Sequence, residues 1–349
     1  MPDLPVFWQE AAPGTAGIAA DVGRRLEAAT ARGEFPGLHA LLILRHGRLA
    51  LERYFPGRDQ CWGRDLGLVQ HGPAMLHDMR SITKSIVGLL YGIALDRNLV
   101  PPVGARIRDH FPTQAIHLAD ERKRSITVGH VLSMRMGLAW HEDTRYDNPA
   151  NSENQMEAAA NRYDFILSRP AVEKPGSQWL YCGGATALLG DLIERGSGQP
   201  LAEFARACLF DPLSIDRFDW VNGNDGRAAA SSGLRLSPRD LARVGQMLLA
   251  RGALSGHRIV PARWLDLSLR PRSYVDGGLR YGYHWWLGKL AASGKPWYAA
   301  YGNGGQRLIV IPSLNMAVVI LAGNYNAADQ WKMPVRLMNL VVMPAVETC

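Results

Sequence analysis

Residues 80–96 read RSITKSIVGLLYGIALD, and this stretch decides how the rest of the chain is interpreted. Between its two ends, Lys84 is the only charged residue. Two apolar rows follow at helical spacing: Ile82, Ile86, Leu89, Leu90 and Ile93 on one side, and Val87, Tyr91 and Leu95 on the side of Lys84. Because a helix that is apolar on both sides is buried, the pattern predicts a buried helix over residues 80–99 that carries Lys84 inside the protein.

Ser81 stands three residues before Lys84, which puts both side chains on one face at the start of the predicted helix. Burying an ammonium group is costly unless it is paired, neutralised or used. A serine hydroxyl needs an adjacent base to act as a nucleophile, and a desolvated lysine can lose its proton near neutral pH and accept the serine proton. The free N–H groups of a helix start also suit an oxyanion. In the alternative interpretation, Ser81 only caps the helix and Lys84 extends to the surface.

Strand-like runs occur near both ends of the chain, with a mainly helical pattern between them. They are Leu38–Arg45 and Arg48–Tyr54, joined by a tight His46-Gly47 turn, and residues 297–301, 306–311 and 316–321. In the middle, Ser237-Pro238 is typical of a helix start, with the serine as cap and the proline in the first turn.

One economical fold brings the two ends together as an α+β domain. Residues 1–99 and 271–349 would form a five-stranded antiparallel sheet flanked by helices, and residues 100–270 would be inserted as an all-helical domain. A ligand site is then expected in the cleft between the two parts.

The composition is that of a globular protein with a large core, since 47% of the 349 residues are hydrophobic and 20% are charged. No apolar run approaches the ~20 residues that span a bilayer. The N-terminus has no basic start followed by an apolar stretch, so we expect a cytoplasmic protein. The net charge of +7 is spread along the chain, with only residues 121–124 densely charged, which argues against a nucleic-acid partner.

Cysteine and histidine spacing predicts neither a disulfide framework nor a metal site. Cys61, Cys182, Cys208 and Cys349 show no paired spacing and are expected to be free thiols. The ten histidines show no metal-ligand spacing, so we expect no metal and no cofactor.

Ser81-Ile82-Thr83-Lys84, at the head of a buried helix that follows an N-terminal hairpin, resembles the first motif of the serine β-lactamase and penicillin-binding-protein superfamily. The resemblance covers roughly residues 35–345 and is closest to the branch that holds class C β-lactamases, related esterases and nylon-oligomer hydrolases. Further matches follow in the expected order at residues 130–138, Tyr181-Cys182-Gly183, residues 233–242, residues 281–286 and residues 302–306.

The resemblance implies a role for each motif residue. Ser81 would attack a carbonyl and become acylated, while Lys84 and Tyr181 would share the proton handling. A phenol and an ammonium both have unperturbed pKa values near 10, so the pair should titrate as a unit and neither residue alone is assigned as the base. The oxyanion hole would be formed by the backbone N–H groups of Ser81 and Gln306.

Two motif positions depart from the antibiotic-hydrolysing pattern. Asn303 stands where that pattern carries lysine or histidine, and Gly183 stands where its second motif ends in asparagine. Both departures weaken the case for β-lactams and peptidoglycan peptides, although Arg307 could restore a positive charge. We therefore expect a serine hydrolase that cleaves carboxylic esters or small amides through an acyl-enzyme. The alternatives are a β-lactamase or D-alanyl-D-alanine peptidase, and an inactive relative that binds or senses a ligand.

The substrate would be a small molecule held by residues of the hairpin and by aromatic side chains. The expected contacts are Asn303, Gly304, Gly305, Trp140, Tyr146 and Trp286. An acidic loop lies next to Trp140 and around Tyr146 in the sequence. It could bind a cationic group of the substrate, or it could be a solvated loop without a role in binding, which is the interpretation that we favour. Its acidic residues are Glu142, Asp143 and Asp147.

Overall fold

The computed structural model describes residues 8–346, and its centre is a nine-stranded sheet. The strands of this sheet are β1 (Gln9–Glu10), β2 (Leu38–Arg45), β3 (Arg48–Tyr54), β11 (Ser273–Tyr274), β12 (Arg280–Tyr281), β13 (Trp286–Lys289), β14 (Pro296–Gly302), β15 (Gln306–Ile311) and β16 (Met316–Ala322). Their order is β1-β3-β2-β16-β15-β14-β13-β12-β11. The β1–β3 pair is parallel and every other pair of the sheet is antiparallel.

The prediction of a five-stranded sheet was wrong, although the five strands it named are the central ones. Three short strands, β11 to β13, extend one edge and β1 extends the other. Strands of two to four residues are too short to show the period-2 alternation by which a strand is recognised in sequence. The predicted hairpin between β2 and β3 is confirmed, and its turn residues His46 and Gly47 have φ of 52° and 72°, as a two-residue turn of this kind requires.

Helices cover both faces of the sheet. They are α1 (Val22–Ala31), α2 (Ile82–Asp96), α3 (Val128–Leu132), α4 (Ser152–Ala158), α5 (Arg162–Ser168), α6 (Gly183–Ser197), α7 (Leu201–Ala205), α8 (Pro238–Leu249), α9 (Ala262–Ser268), α10 (Lys332–Leu337) and α11 (Met343–Ala345). No helix of the described residues is long and apolar enough to cross a membrane.

Two hydrophobic cores lie on the two faces of the sheet. Along β16, Val318 and Ile320 enter the smaller core with α1 and α10, whereas Val319 and Leu321 enter the larger core with α2, α6 and α8. All residues of β16 are buried because the strand is covered on both faces.

The sequence pattern predicted that the segment 100–270 is all-helical, and this prediction was wrong. The segment contains β7 (Asp219–Trp220), β8 (Leu234–Leu236), β9 (Ala253–Leu254) and β10 (His257–Arg258). β8 pairs with both β7 and β6 (His77–Asp78), which leads into Ser81. The segment therefore contributes a strand directly to the support of the nucleophile candidate.

Local signals in the sequence correspond to local features of the structure. The hydroxyl of Ser237 accepts a hydrogen bond from the Asp240 N–H at the start of α8, as predicted. Cys61, Cys182 and Cys208 are free thiols, whereas Cys349 lies outside the described residues. A further hairpin, β4 (Gly57–Cys61) with β5 (Arg64–Val69), lies between β3 and β6 along the chain.

Candidate active site

The turn between β6 and α2 holds Ser81 at the head of the buried helix. Arg80, the residue before it, has φ of 49°, a left-handed conformation that costs a non-glycine residue about 1–3 kcal/mol. An ion pair of 3.3 Å to Asp78 and a 2.6 Å hydrogen bond from the Thr83 hydroxyl to the Arg80 carbonyl support this conformation. Ser81 occupies the N-cap position, but its side chain makes no capping hydrogen bond. The hydroxyl is therefore left for other partners.

Lys84 is buried beside Ser81, with its side chain only 1% exposed. Its Nζ donates hydrogen bonds to Ser81 Oγ at 3.1 Å and to the Ser231 carbonyl at 3.2 Å. It also forms ion pairs with Glu142 Oε1 at 3.2 Å and Glu153 Oε2 at 3.4 Å. The interpretation in which Ser81 is only a cap and Lys84 reaches the surface was wrong.

The two carboxylates determine the charge state of Lys84. Burial by itself would lower the pKa of Lys84, but Glu142 and Glu153 outweigh it and raise the pKa well above its ordinary value. The expectation that desolvation would neutralise the lysine was therefore wrong, because two acidic partners are buried with it. Lys84 is an ammonium at neutral pH.

Tyr181 lies over the lysine, with Lys84 Nζ 4.8 Å from the centroid of its ring. Burial raises the pKa of the Tyr181 phenol, while the Lys84 charge and a hydrogen bond with Ser81 act in the opposite direction. The phenol is thus protonated in the resting state. The structure brings Ser81, Lys84 and Tyr181 together, as the sequence predicted.

Glu142 and Glu153 differ in their surroundings and in their pKa values. Burial, and then Glu153, raise the pKa of Glu142 to about 7 against the opposing effect of Lys84. Burial also acts to raise the pKa of Glu153, but Lys84 and the hydrogen bonds that this carboxylate accepts lower it to about 2. Those donors include the hydroxyls of Ser231, at 2.9 Å, and Ser232. Of the two carboxyls, Glu142 is the one that holds a proton near neutral pH.

The acidic pair is fixed by groups from several elements. The Trp140 indole N–H and the Gly183 N–H donate to Glu142 Oε2 at 2.7 and 2.5 Å. Tyr146 donates its hydroxyl to both carboxyls, at 3.3 Å to Glu142 and 3.1 Å to Glu153. Trp140 itself is buried in the larger core, so it orients Glu142 and presents little surface to a substrate.

The preference for a solvated acidic loop was wrong for Glu142, whose side chain is 1% exposed. It holds for Asp143 and Asp147, which are exposed and pair with His141 and Arg145. Sequence reasoning missed Glu153 altogether. A usable signal was present, because a buried ammonium requires an acidic partner and Glu153 follows a good helix cap, Asn151.

The hairpin between β14 and β15 contacts the nucleophile segment through Gly302. A Cβ atom on Gly302 would overlap the Met79 carbonyl oxygen and lie 3.2 Å from Arg80 Cβ. Gln306 pairs with Gly302 in the ladder and is fully buried, and its side chain bonds both the carbonyl, at 2.6 Å, and the N–H, at 2.9 Å, of Ala322.

Three expected substrate contacts of the hairpin lie just beyond Gly302. Gly304 and Gly305 have φ of 92° and 99°, in the region that favours glycine. A Cβ on Gly304 would lie 2.6 Å from the ring of Tyr325, so Gly304 packs closely against this ring. Asn303 Oδ1 accepts a hydrogen bond from the Asn326 N–H at 3.1 Å, which occupies its side-chain oxygen.

An aromatic group surrounds the outer side of Tyr181. Trp286 is half-buried and central to it, with its ring 5.9 Å from Tyr181, 5.2 Å from Tyr301 in a stacked arrangement, and 5.3 Å from Tyr281. Arg307 lies under the Tyr301 ring at 4.1 Å and donates to the Gly302 and Gln306 carbonyls. Its buried guanidinium therefore supports the hairpin from behind.

Comparison with known proteins gives the family. The β-lactamase family model matches residues 22–331, so the chain belongs to the β-lactamase family. A 6-aminohexanoate-dimer hydrolase of Paenarthrobacter ureafaciens is 26% identical over 253 residues, which are 69% of this chain and 58% of the relative. Esterase EstB of Burkholderia gladioli is 27% identical over 54% of this chain and 48% of its own length. The chain thus spans about half the length of the curated relatives it matches.

The fold is shared with solved structures. EstCE1, described as a hydrolase with promiscuous acyltransferase activity, superposes with a TM-score of 0.72 over 94% of this chain and 99% of its own, at 14% sequence identity. The resemblance that the motifs indicated is confirmed by the match to the family model.

Proposed function

We propose that this protein is a serine hydrolase that cleaves carboxylic esters or small amides through an acyl-enzyme on Ser81. The observation that carries the proposal is the 3.1 Å contact between Lys84 Nζ and Ser81 Oγ at the head of a buried helix. Membership of the β-lactamase family and the names of the relatives, an esterase and an amide-dimer hydrolase, support it.

In acylation, Ser81 Oγ forms a bond to the substrate carbonyl carbon and its proton passes to the Tyr181–Lys84 pair. The pair starts with both protons bound, so it needs an acceptor. Ionised Glu142, 3.2 Å from Lys84 Nζ, takes the lysine proton and leaves a neutral amine able to receive the serine proton. The leaving alkoxide or amine then takes a proton from the pair, and water repeats the sequence in deacylation.

The negative charge that develops on the substrate's carbonyl oxygen during acylation requires two N–H donors to stabilise it. The Ser81 N–H is one, at the positive end of α2. For the second donor we propose the Gln306 N–H, which the family resemblance implies, and the Asn303 N–H as an alternative. Asn303 is the residue after Gly302, which lies close to Met79.

The substrate class follows from the walls of the site. Trp286 offers an apolar aromatic surface next to Tyr181, which suits an apolar acyl or alcohol group. Arg307 is committed to backbone carbonyls and Asn303 is uncharged, so this side of the site offers little to a substrate carboxylate. This favours simple esters and amides over β-lactams and peptidoglycan peptides.

The test is turnover of p-nitrophenyl acetate, butyrate and octanoate, with labelling by a fluorophosphonate probe. We expect wild-type protein and Ser293→Ala, a control at an exposed serine, to hydrolyse the esters and take up the probe, and Ser81→Ala to do neither. Unchanged turnover in Ser81→Ala would reject the assignment. Absence of turnover and labelling in the wild type would favour an inactive binding relative, and faster hydrolysis of a chromogenic cephalosporin would favour a β-lactamase.

A further inference from the structure

A second cluster of chemically active side chains lies behind the nucleophile segment and takes no part in the proposed hydrolysis. It consists of His39 on β2, Asp59 on β4, His71 between β5 and β6, and His77 on β6. Each residue offers one potential ligand atom, and these atoms all lie within 4.8 Å of one another. His39, Asp59 and His77 are at most 3% exposed, and His71 is half-buried.

The ring of His77 is already oriented as metal-binding histidines are. Its Nδ1 lies 3.1 Å from the Asp78 carbonyl oxygen, a hydrogen bond that places the proton on Nδ1 and the lone pair on Nε2. That Nε2 faces the cluster, 3.0 Å from His39 Nδ1 and 3.7 Å from Asp59 Oδ1.

The other members are also fixed from outside the cluster. A Cβ on Gly57 or Gly323 would overlap His39 at its outer edge, so the backbone presses this ring into place with Nδ1 facing inward. The His71 ring stacks on His39 at 3.9 Å. The Tyr325 hydroxyl donates to Asp59 Oδ1 at 2.9 Å, which orients the carboxylate.

One ring nitrogen remains unsatisfied. His71 Nε2 is buried and has no hydrogen-bond partner among the described residues. Three imidazoles packed around one carboxylate, two of them fully buried, form a costly arrangement for a protein that uses them only for packing. A bound cation would give the cluster a common partner.

We propose that His39, Asp59, His71 and His77 form a binding site for a first-row divalent metal ion, with Zn²⁺ as the best match. Three imidazole nitrogens and one carboxylate oxygen are ligands that Zn²⁺ prefers, in a tetrahedral set of four. Neutral His39 can bind metal through Nδ1 only with its proton on Nε2, so metal binding moves the proton that it shares with His77 to His39 Nε2, with no net release of protons. The four ligands leave no position open for a substrate. The site is structural.

A metal at this site would hold in place the strand that leads into Ser81. His77 lies four residues before Ser81, and the metal would fasten β6 to β2 and β4, three strands that belong to three separate sheets. Chain spacing does not predict this site because its four ligands come from four separate segments, with the nearest two, His71 and His77, on a loop and a strand.

The test uses tag-free, chelator-treated protein titrated with Co²⁺ and Zn²⁺. We expect one equivalent of Co²⁺ to give the intense visible absorption of tetrahedral cobalt, Zn²⁺ to displace it, and Zn²⁺ to raise Tm. His71→Ala and Asp59→Asn should weaken Co²⁺ binding at least about tenfold. His257→Ala, at an exposed histidine of β10, is the matched control and should bind as the wild type does.

Each failure is informative without reference to hydrolysis. Absence of the tetrahedral spectrum in the wild-type protein at millimolar Co²⁺ would overturn the proposal and leave the cluster as a hydrogen-bonded histidine network. The same would follow if His71→Ala bound the metal as tightly as the wild type. If Asp59→Asn fails to fold, the Co²⁺ spectrum of the wild type and the Co²⁺ affinity of His71→Ala, at a half-buried position, still test the proposal.

Discussion

Glu142 Oε1 and Glu153 Oε2 both face the Nζ of Lys84, at 3.2 and 3.4 Å, and the Tyr146 hydroxyl donates to both of them. The lysine of the motif is therefore one member of a buried group in which two carboxyls share one cation. Such a group holds a net negative charge only when Glu142 is ionised, and that ionisation supplies the acceptor on which the proposed proton transfer depends.

The pH dependence of hydrolysis should report Glu142. Since the pKa of Glu142 is about 7 and its ionised form is the acceptor, kcat/KM should rise with pH through about 7. Glu142→Gln should abolish this limb and lower kcat/KM above it. Asp143→Asn, at an exposed neighbour, should keep the wild-type profile; an unchanged limb in Glu142→Gln would contradict the assignment.

The same shift should appear in stability. Because the pKa of Glu142 is raised from 4.5 to about 7 on folding, its contribution is fully present below pH 4.5 and is lost as pH rises through 7. A gap of this size corresponds to at most about 3 kcal/mol. Urea unfolding at pH 5 and pH 8 should therefore show a larger loss of unfolding free energy in the wild type than in Glu142→Gln. Equal losses would refute this charge assignment.

Tyr181→Phe should separate chemistry from packing. The ring contacts with Trp286 and Lys84 are kept while the hydroxyl is removed, so kcat should fall about 10²–10⁴-fold with little change in KM. Steady-state kinetics on p-nitrophenyl butyrate measures both constants. Tyr274→Phe, at an exposed tyrosine, is the control, and a fall confined to KM would argue against a role in proton transfer.

Trp286→Ala should change substrate preference. Removing the half-buried indole beside Tyr181 takes away apolar contact, so KM should rise more for octanoyl than for acetyl esters, with about 1–3 kcal/mol lost for the longer chain. Trp331→Ala removes an exposed indole and should leave both values unchanged. Equal effects on the two esters would show that the acyl chain does not contact Trp286.

Gly302→Ala should misplace the hairpin. The added methyl group overlaps the Met79 carbonyl, two residues before Ser81, so the strand or the turn has to move. We expect a loss of turnover of at least about 100-fold, since displacements of 1 Å at a reacting centre have effects of this size. Gly104→Ala, at an exposed glycine with open space and no positive φ, controls for the substitution. Near-normal activity of Gly302→Ala would place the oxyanion donors elsewhere.

Sequence reasoning succeeded where a signal is local. The burial of α2 follows from its apolar rows, and the β2–β3 hairpin follows from two strand patterns with His46-Gly47 between them. The juxtaposition of Ser81 and Lys84 follows from helix geometry alone. Tyr181 came from the family motif, since nothing in its own surroundings marks it.

The rest depends on contacts between distant segments. Glu142 and Glu153 approach Lys84 from 58 and 69 residues away, and their charges keep the lysine an ammonium where a neutral amine was expected. Edge strands of two residues form because neighbouring strands offer free backbone N–H and C=O groups. The presence of those neighbours depends on the tertiary fold and cannot be read from the local sequence. The histidine cluster is assembled from four segments in the same way.

The larger core runs without a break from Ala40 on the sheet through α2 to the helices of residues 100–270. Because the sheet and residues 100–270 share this larger core, neither part keeps it complete after the other has opened, and the two parts are expected to melt as a cooperative unit. Loss of ester hydrolysis on heating should therefore coincide with loss of the whole tertiary structure, and limited proteolysis during heating should release no stable, partly folded fragment.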